Sequence, residues 1–243
     1  MMSAQTAVLI GSTGQTGQRL LKQLLSSPDY SQISEYGRRV TDLESISGGK
    51  EKLQQETVDF EKLNESGLKD GKWDVVFITL GTTRKNAGSA EAFEKIDREY
   101  VLNAAREAKT DGKDQRLVYL SSAGADASSS FLYTKSKGLT EIGLASLGYK
   151  DTIIFRPAVL AGVTRPESRP FEAVGRCVTS VLSHITSSVE IKVETLAKAM
   201  AKAGSLGSAS LPTVARATQE GKEGASFTVI GNPGAIALAR SES

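Results

Sequence analysis

The feature that most constrains this chain is a glycine-spaced turn, Gly11-Ser12-Thr13-Gly14-Gln15-Thr16-Gly17, set between a buried apolar run and a helical pattern. Ala7-Val8-Leu9-Ile10 reads as the strand before it, and Leu20, Leu21, Leu24 and Leu25 follow at helical spacing. Three needs converge on glycine at such a place: a positive φ, bare backbone for an anion to approach, and close packing of helix on strand. The helix N-terminus adds N–H groups and a positive dipole end. The spacing is Gly-x-x-Gly-x-x-Gly rather than the commoner Gly-x-Gly-x-x-Gly, and a glycine triplet alone describes many surface turns. The strand before and the helix after turn it into an expectation that residues 11–17 seat a dinucleotide diphosphate.

The rest of the chain alternates in the same way. Strands are expected at 33–36, 56–60, 75–78 (after Trp73), 117–120 and 152–155. Helices are expected from about 89 to 109, with Phe93, Ile96, Tyr100 and Val101 on the apolar face, and from about 132 to 147. This alternation predicts an α/β fold, a Rossmann-type doubly wound parallel sheet with a small C-terminal lobe. The 243 residues suit one domain, 1–160 as the dinucleotide-binding core and 161–243 as a lobe for substrate or partner. After Pro157 the pattern loosens. Helices are expected near 171–182 and 193–203, a flexible Gly/Ser/Ala-rich loop over 204–225, a last strand at 227–230, and a short helix opened by Asn232-Pro233. No internal repeat is present.

Charge and cysteine content exclude several classes. Thirty basic against 28 acidic residues, without a dense basic run, give no reason to expect a nucleic-acid partner. One cysteine, Cys177, and one histidine, His184, exclude an internal disulfide and a multi-cysteine or multi-histidine metal site, and both read as structural. No apolar run approaches the about 20 residues of a membrane-spanning helix. Only six residues precede Ala7, which predicts no cleavable presequence and a cytosolic protein, or one peripheral on a cytosol-facing membrane.

The end of the second strand bears on which dinucleotide fits. An NAD site commonly places an acid there, about 20 residues beyond the glycines, to accept from the ribose 2′-hydroxyl. This chain has Gly37-Arg38-Arg39 instead, and a guanidinium fork suits a 2′-phosphate, so NADP(H) is expected with Arg38 and Arg39 on that phosphate. Solvated loop arginines would read the same way. Glu35 lies earlier in the strand and is expected buried or facing away.

Tyr133 and Lys137, four apart on a predicted helix, share one face. An ammonium beside a phenol lowers the phenol's pKa and makes it a usable proton donor or acceptor, and Lys137 also suits the nicotinamide ribose. Ser121 and Ser122 end the fifth strand, where a hydroxyl can polarise a carbonyl; Ser122 is eleven residues before Tyr133. Tyr-x-x-x-Lys is common by chance on any helix, and the surrounding pattern is what favours function.

With these residues the chain resembles the short-chain dehydrogenase/reductase superfamily, and within it the atypical branch of the Tat-interacting protein and its fungal mitochondrial homologues. The resemblance runs through residues 11–17, Gly37-Arg38-Arg39, Val58-Asp59-Phe60-Glu61-Lys62-Leu63, Leu80-Gly81-Thr82-Thr83-Arg84 and Asp97-Arg98-Glu99-Tyr100-Val101. It continues through Ser121-Ser122-Ala123-Gly124-Ala125, Phe131-Leu132-Tyr133, Lys137-Gly138, Phe155-Arg156-Pro157 and Glu167-Ser168-Arg169-Pro170, spanning residues 6 to 170. It implies an NADPH-binding fold with Asp59 and Phe60 near the adenine, Leu80, Gly81, Thr82 and Thr83 lining the cofactor, and Ser121, Tyr133, Lys137, Arg156 and Pro157 completing its site. Ser122, Tyr133 and Lys137 match the superfamily's catalytic residues. Two departures weigh against efficient turnover. Asp97 stands where the superfamily has a helix asparagine, with Asn103 a turn and a half further on, and the serine-to-tyrosine spacing is short. The branch also implies a peripheral protein of the mitochondrial outer membrane.

Two functions stay open on this reading. One is an NADPH-dependent carbonyl reductase acting on a small molecule, with Tyr133 donating the proton, Lys137 tuning it and Ser122 orienting the oxygen. The other is an NADPH-sensing module that engages a protein or membrane through the surface after Pro157, with Glu167-Ser168-Arg169-Pro170 as a contact.

Overall fold

Ala7, Val8, Leu9 and Ile10 are all buried because β1 (Gln5–Ile10) runs through the middle of a sheet covered on both faces. The computed structural model describes residues 4–161 and 190–242. β1 pairs in parallel with β2 (Tyr30–Gly37), which carries β3 (Leu53–Thr57) beyond it. On the other side β1 pairs with β4 (Val75–Ile78), followed by β5 (Arg116–Leu120) and β6 (Asp151–Arg156), all parallel. A short parallel pair, β7 (Val159–Ala161) with β8 (Glu190–Lys192), lies apart from this sheet. β9 (Thr218–Lys222) forms an antiparallel edge on β10 (Ala225–Gly231), which itself runs parallel to β6. Among the described residues the order is β3-β2-β1-β4-β5-β6-β10-β9. The chain winds outward one way from β1 and the other way from β4, so a crevice opens between their carboxyl ends, where such sheets bind ligands.

Among the described residues the α-helices are α1 (Gln15–Ser26), α2 (Arg84–Ala87), α3 (Ala90–Glu94), α4 (Tyr100–Glu107), α5 (Leu132–Ala145), α6 (Val193–Leu206) and α7 (Asn232–Arg240). Strand residues alternate between two cores. Ala7 and Leu9 join Leu20, Leu24, Leu196, Met200 and Leu238 from α1, α6 and α7. Val8 and Ile10 join Val101, Ala104 and Leu144 from α4 and α5. Each buried leucine contributes about 1.5–3 kcal/mol relative to exposure, so Leu20, Leu21, Leu24 and Leu25 anchor α1 directly behind the glycine turn. Segment 190–242 adds β9 and β10 to this same sheet, and α6 and α7 to the first core.

Three elements differ from expectation. β3 covers 53–57 rather than 56–60, because Asp59 Oδ1 accepts from Glu61 N (2.9 Å) and this Asx turn takes the chain off the sheet. The helix expected over 89–109 is interrupted by a π turn, Lys95–Glu99, between α3 and α4; the extra residue rotates Asp97 inward to full burial. The 204–225 stretch is ordered rather than a flexible loop. It completes α6, makes two 3-10 turns (Ser208–Ser210 and Thr213–Ala215) and supplies β9. Its small residues permit close packing: a Cβ on Gly204 would lie 2.3 Å from the Phe77 ring. The helix expected near 171–182, Cys177, His184 and Glu167-Ser168-Arg169-Pro170 lie outside the described residues.

Candidate active site

The turn after β1 is shaped by what cannot fit in it. Gly11 has φ +95°, and a Cβ there would lie 2.6 Å from Leu80 N. A Cβ on Gly17 would fall 2.1 Å from Gly11 O, so only glycine lets α1 begin against the turn. Gly14 is exposed, donates its N–H to Gly11 O (3.1 Å) and forms the N-cap of α1. Among the described residues no side-chain hydrogen bond caps that terminus, and the first turn of α1 holds no acidic residue to oppose an anion at its positive dipole end. Ser12 and Thr16 are buried, Gln15 half-buried, and Thr13 exposed.

Beside the turn, β2 ends at Gly37, where a Cβ would lie 2.8 Å from Arg39 O. Arg38 and Arg39 are exposed and, among the described residues, neither pairs with a carboxylate. Glu35 is buried as expected, yet it faces the glycine turn rather than away from it: the Ser12 hydroxyl donates to it, as do Thr41 and Gln55. Asp59 is exposed, while Phe60 is buried and stacks on Tyr100 with ring centroids 5.2 Å apart. After β4, Leu80, Thr82 and Thr83 are half-buried and Gly81 is exposed, crossing the mouth of the crevice.

Behind Gly81 lies a buried charged group. Lys137 Nζ pairs with Asp97 Oδ1 (3.1 Å) and donates to the Tyr119 hydroxyl (2.9 Å). Thr82 N also points at Asp97 Oδ1 (3.4 Å), and a Cβ on Gly81 would stand 3.2 Å from that oxygen and 3.6 Å from Lys137 Nζ. Asp97 Oδ2 is buried without a hydrogen-bond partner among the described residues. Burial works against the Lys137 ammonium, but Tyr119, Asp97 and Tyr133 together hold its pKa above the ordinary lysine value. Burial pushes the Tyr119 phenol up, against the pull of Lys137.

Tyr133 sits at the start of α5, 43% exposed, its ring against Phe93 at 6.0 Å between centroids. The two serines differ. Ser121 is buried and donates to Glu141, whereas Ser122 is half-exposed and, among the described residues, its hydroxyl donates to the neighbouring Ala123 carbonyl (3.3 Å). Arg156 donates to both oxygens of Glu141 and both oxygens of Glu220, which occupies its fork. Pro157 is buried and accepts from Ala123 N (2.9 Å), fixing the loop that carries Ser122.

The structure therefore gathers Gly81, Thr82, Asp97, Tyr119 and Lys137, keeps Tyr133 at the surface beside them, and ties Arg156 and Ser121 into a separate ion-paired cluster. Sequence reasoning passed over Tyr119, Thr41, Gln55 and Glu141. The available signal was a polar group in an apolar setting, such as Glu141 within the inward stripe of α5.

No protein-family profile matches the chain. It is similar in fold to a nucleoside-diphosphate-sugar epimerase from Agrobacterium tumefaciens, with TM-score 0.60 and 17% identity, over 84% of this chain and 70% of that one. It is likewise similar to the Bordetella bronchiseptica enzyme WbmF solved with NAD+, with TM-score 0.56 and 15% identity, over 83% and 70% of the two chains. In sequence it is 36% identical over 183 residues to protein fmp52, mitochondrial, of Emericella nidulans, covering 75% of this chain and 78% of that protein. It is also 41% identical over 175 residues to protein HTATIP2 of Rattus norvegicus, covering 72% of this chain and 70% of that protein. On these identities, over a shared Rossmann-type scaffold, the chain belongs to the HTATIP2 and FMP52 family.

Proposed function

We propose that the chain binds NADP(H) in the crevice above β1 and β4 and acts as a carbonyl oxidoreductase. The turn geometry carries the reading: Gly11 and Gly17 admit no side chain, and the first turn of α1 holds no acidic residue. The fit of a nicotinamide dinucleotide is supported by the fold shared with WbmF, a protein solved with NAD+. Preference for the 2′-phosphate is supported by Gly37, where Arg39 O leaves no room for the usual acid, and by the exposed Arg38 and Arg39.

When bound, the nicotinamide supplies a hydride to a carbonyl carbon. Ser122, with its half-exposed hydroxyl, orients the carbonyl oxygen by donating a hydrogen bond. Tyr133 gives its phenolic proton to that oxygen, leaving an alcohol, and the Lys137 charge stabilises the phenolate. The test is a panel of aldehydes and ketones followed by loss of NADPH absorbance. Tyr133→Phe should lower turnover by about 10²–10⁴-fold with the melting temperature retained, because the ring is 43% exposed. Unchanged turnover of every active substrate contradicts the reading.

A specific observation favours a second reading. The Lys137 ammonium is engaged inward by Tyr119 and Asp97, which suits a catalytically weak NADPH sensor with a protein partner. Partner capture that requires NADPH, without turnover of the panel, supports this; robust turnover without any partner argues against it. The fungal relatives are named mitochondrial, and no described helix is long and apolar enough to cross a membrane. We propose a peripheral position on the cytosolic face of the mitochondrial outer membrane, a reading that the relatives' mitochondrial names support only as far as the organelle. Protease sensitivity on intact mitochondria, with release by alkaline carbonate, is the expected result; a purely cytoplasmic fraction is the contrary one.

A further inference from the structure

We propose that Glu35 is a positioning residue that sets the preference for a 2′-phosphorylated dinucleotide, by holding the glycine turn and the arginine loop in one register. The proposal rests on the cofactor reading above. Glu35 lies on the same face of β2 as Gly37, two residues on, and is fully buried. Its carboxylate takes donors from three segments. Oε1 accepts from the Ser12 hydroxyl in the glycine turn, and from Thr41 N (2.7 Å) and Thr41 Oγ1 (2.8 Å) in the loop beyond β2. Oε2 accepts from Gln55 Nε2 (2.8 Å) on β3, and the same amide donates to Thr41 O (2.7 Å).

Thr41 is thus held at its N–H, hydroxyl and carbonyl, two residues after Arg39. The other end of that loop is fixed by β2, where Gly37 O accepts from Val58 N (2.9 Å). Arg38 and Arg39 are strung between these anchors, and one of the two also fixes Ser12. A buried carboxylate with no basic partner among the described residues is costly unless its lone pairs are filled, and here they are filled by the glycine turn, by the loop beyond the arginines, and by Gln55, which itself holds Thr41. Glutamine has the same size but one acceptor oxygen. Whichever way its amide turns, its N–H groups face either Gln55 Nε2 or the Ser12 and Thr41 donors, and at least one arm of the clamp is lost.

The test is a fluorescence titration with NADPH and with NADH of the wild type, Glu35→Gln, Thr41→Val and the double variant Arg38→Ala/Arg39→Ala, with melting temperatures in parallel. Glu35→Gln should reduce the NADPH-over-NADH affinity ratio about tenfold, and Thr41→Val about threefold, as expected when a charge-assisted phosphate contact loses its geometry. If Glu35→Gln does not fold, Thr41→Val, which keeps the side-chain shape, carries the same criterion. A preference that collapses in the arginine variant but is unchanged in the folded Glu35 or Thr41 variants overturns this proposal and leaves the cofactor reading standing. Equal weakening of both nucleotides overturns it as well, since that marks Glu35 as support for the diphosphate turn alone. A wild type without preference for NADPH removes both readings, and is seen before any Glu35 variant is compared.

Discussion

At position 137 an ammonium lies almost wholly out of water, and it stays charged there because Asp97 and Tyr119 meet it. Removing only the lysine strands a buried carboxylate. Lys137→Met should therefore destabilise the fold by about 3–5 kcal/mol, and adding Asp97→Asn should recover more than half of that. Urea unfolding of the two variants checks this; equal losses would show that the pair is not coupled. The glycines offer a second contrast. Gly17→Ala forces a Cβ to 2.1 Å from Gly11 O, whereas Gly14→Ala meets the same oxygen only at 3.3 Å. The first should lose nucleotide binding and at least about 2 kcal/mol of stability, and the second should change stability by less than about 1 kcal/mol. Residue-level features were readable where they follow local spacing, as for Tyr133 and Lys137 or the three glycines. Glu35 was readable as a charge in a buried strand. Its partners Ser12, Thr41 and Gln55 were not, because they meet only through the register of β2 on β1 and β3.

At the scale of elements, Asp74 joins the start of β4 to β1 and to the loop before β5. It accepts from Thr6 N (2.8 Å) and Thr6 Oγ1 (2.9 Å) and pairs with Lys113 (2.7 Å). Burial raises its pKa, but Lys113 and the Thr6 donors more than offset that and hold the carboxyl below the ordinary aspartate range. A depressed folded pKa adds stability that is present above the unfolded value and is lost as pH falls through the folded one. Asp74→Asn should cost about 1 kcal/mol at neutral pH, the carboxylate being over a third exposed, and should flatten the acid limb of stability against pH. An acid limb as steep as the wild type's contradicts this. Elements were readable where apolar periodicity is strong, as in β1, β4, β5 and α1. The π turn was not, because one inserted residue leaves helical periodicity nearly intact while turning Asp97 inward. The 204–225 stretch reads as a flexible loop because small residues that permit close packing and small residues that confer flexibility have the same composition.

At the scale of the whole molecule, the sheet order brings residues far apart in sequence to one edge: the turn after β1, the arginines after β2, the loop after β4 and the serine after β5. Alternating strand and helix patterns made this topology readable, since right-handed parallel crossovers leave few alternatives. Because Arg38 and Arg39 are exposed, their contribution to nucleotide affinity should weaken as ionic strength rises, and NADPH affinity should fall more steeply with salt than NADH affinity. The most direct test of the central claim is calorimetric titration of the purified chain with NADPH and NADH. NADPH should bind with measurable heat at least about tenfold more tightly than NADH, and Arg38→Ala/Arg39→Ala should abolish that margin. No heat with either nucleotide, or a margin unchanged without the two arginines, would contradict the account.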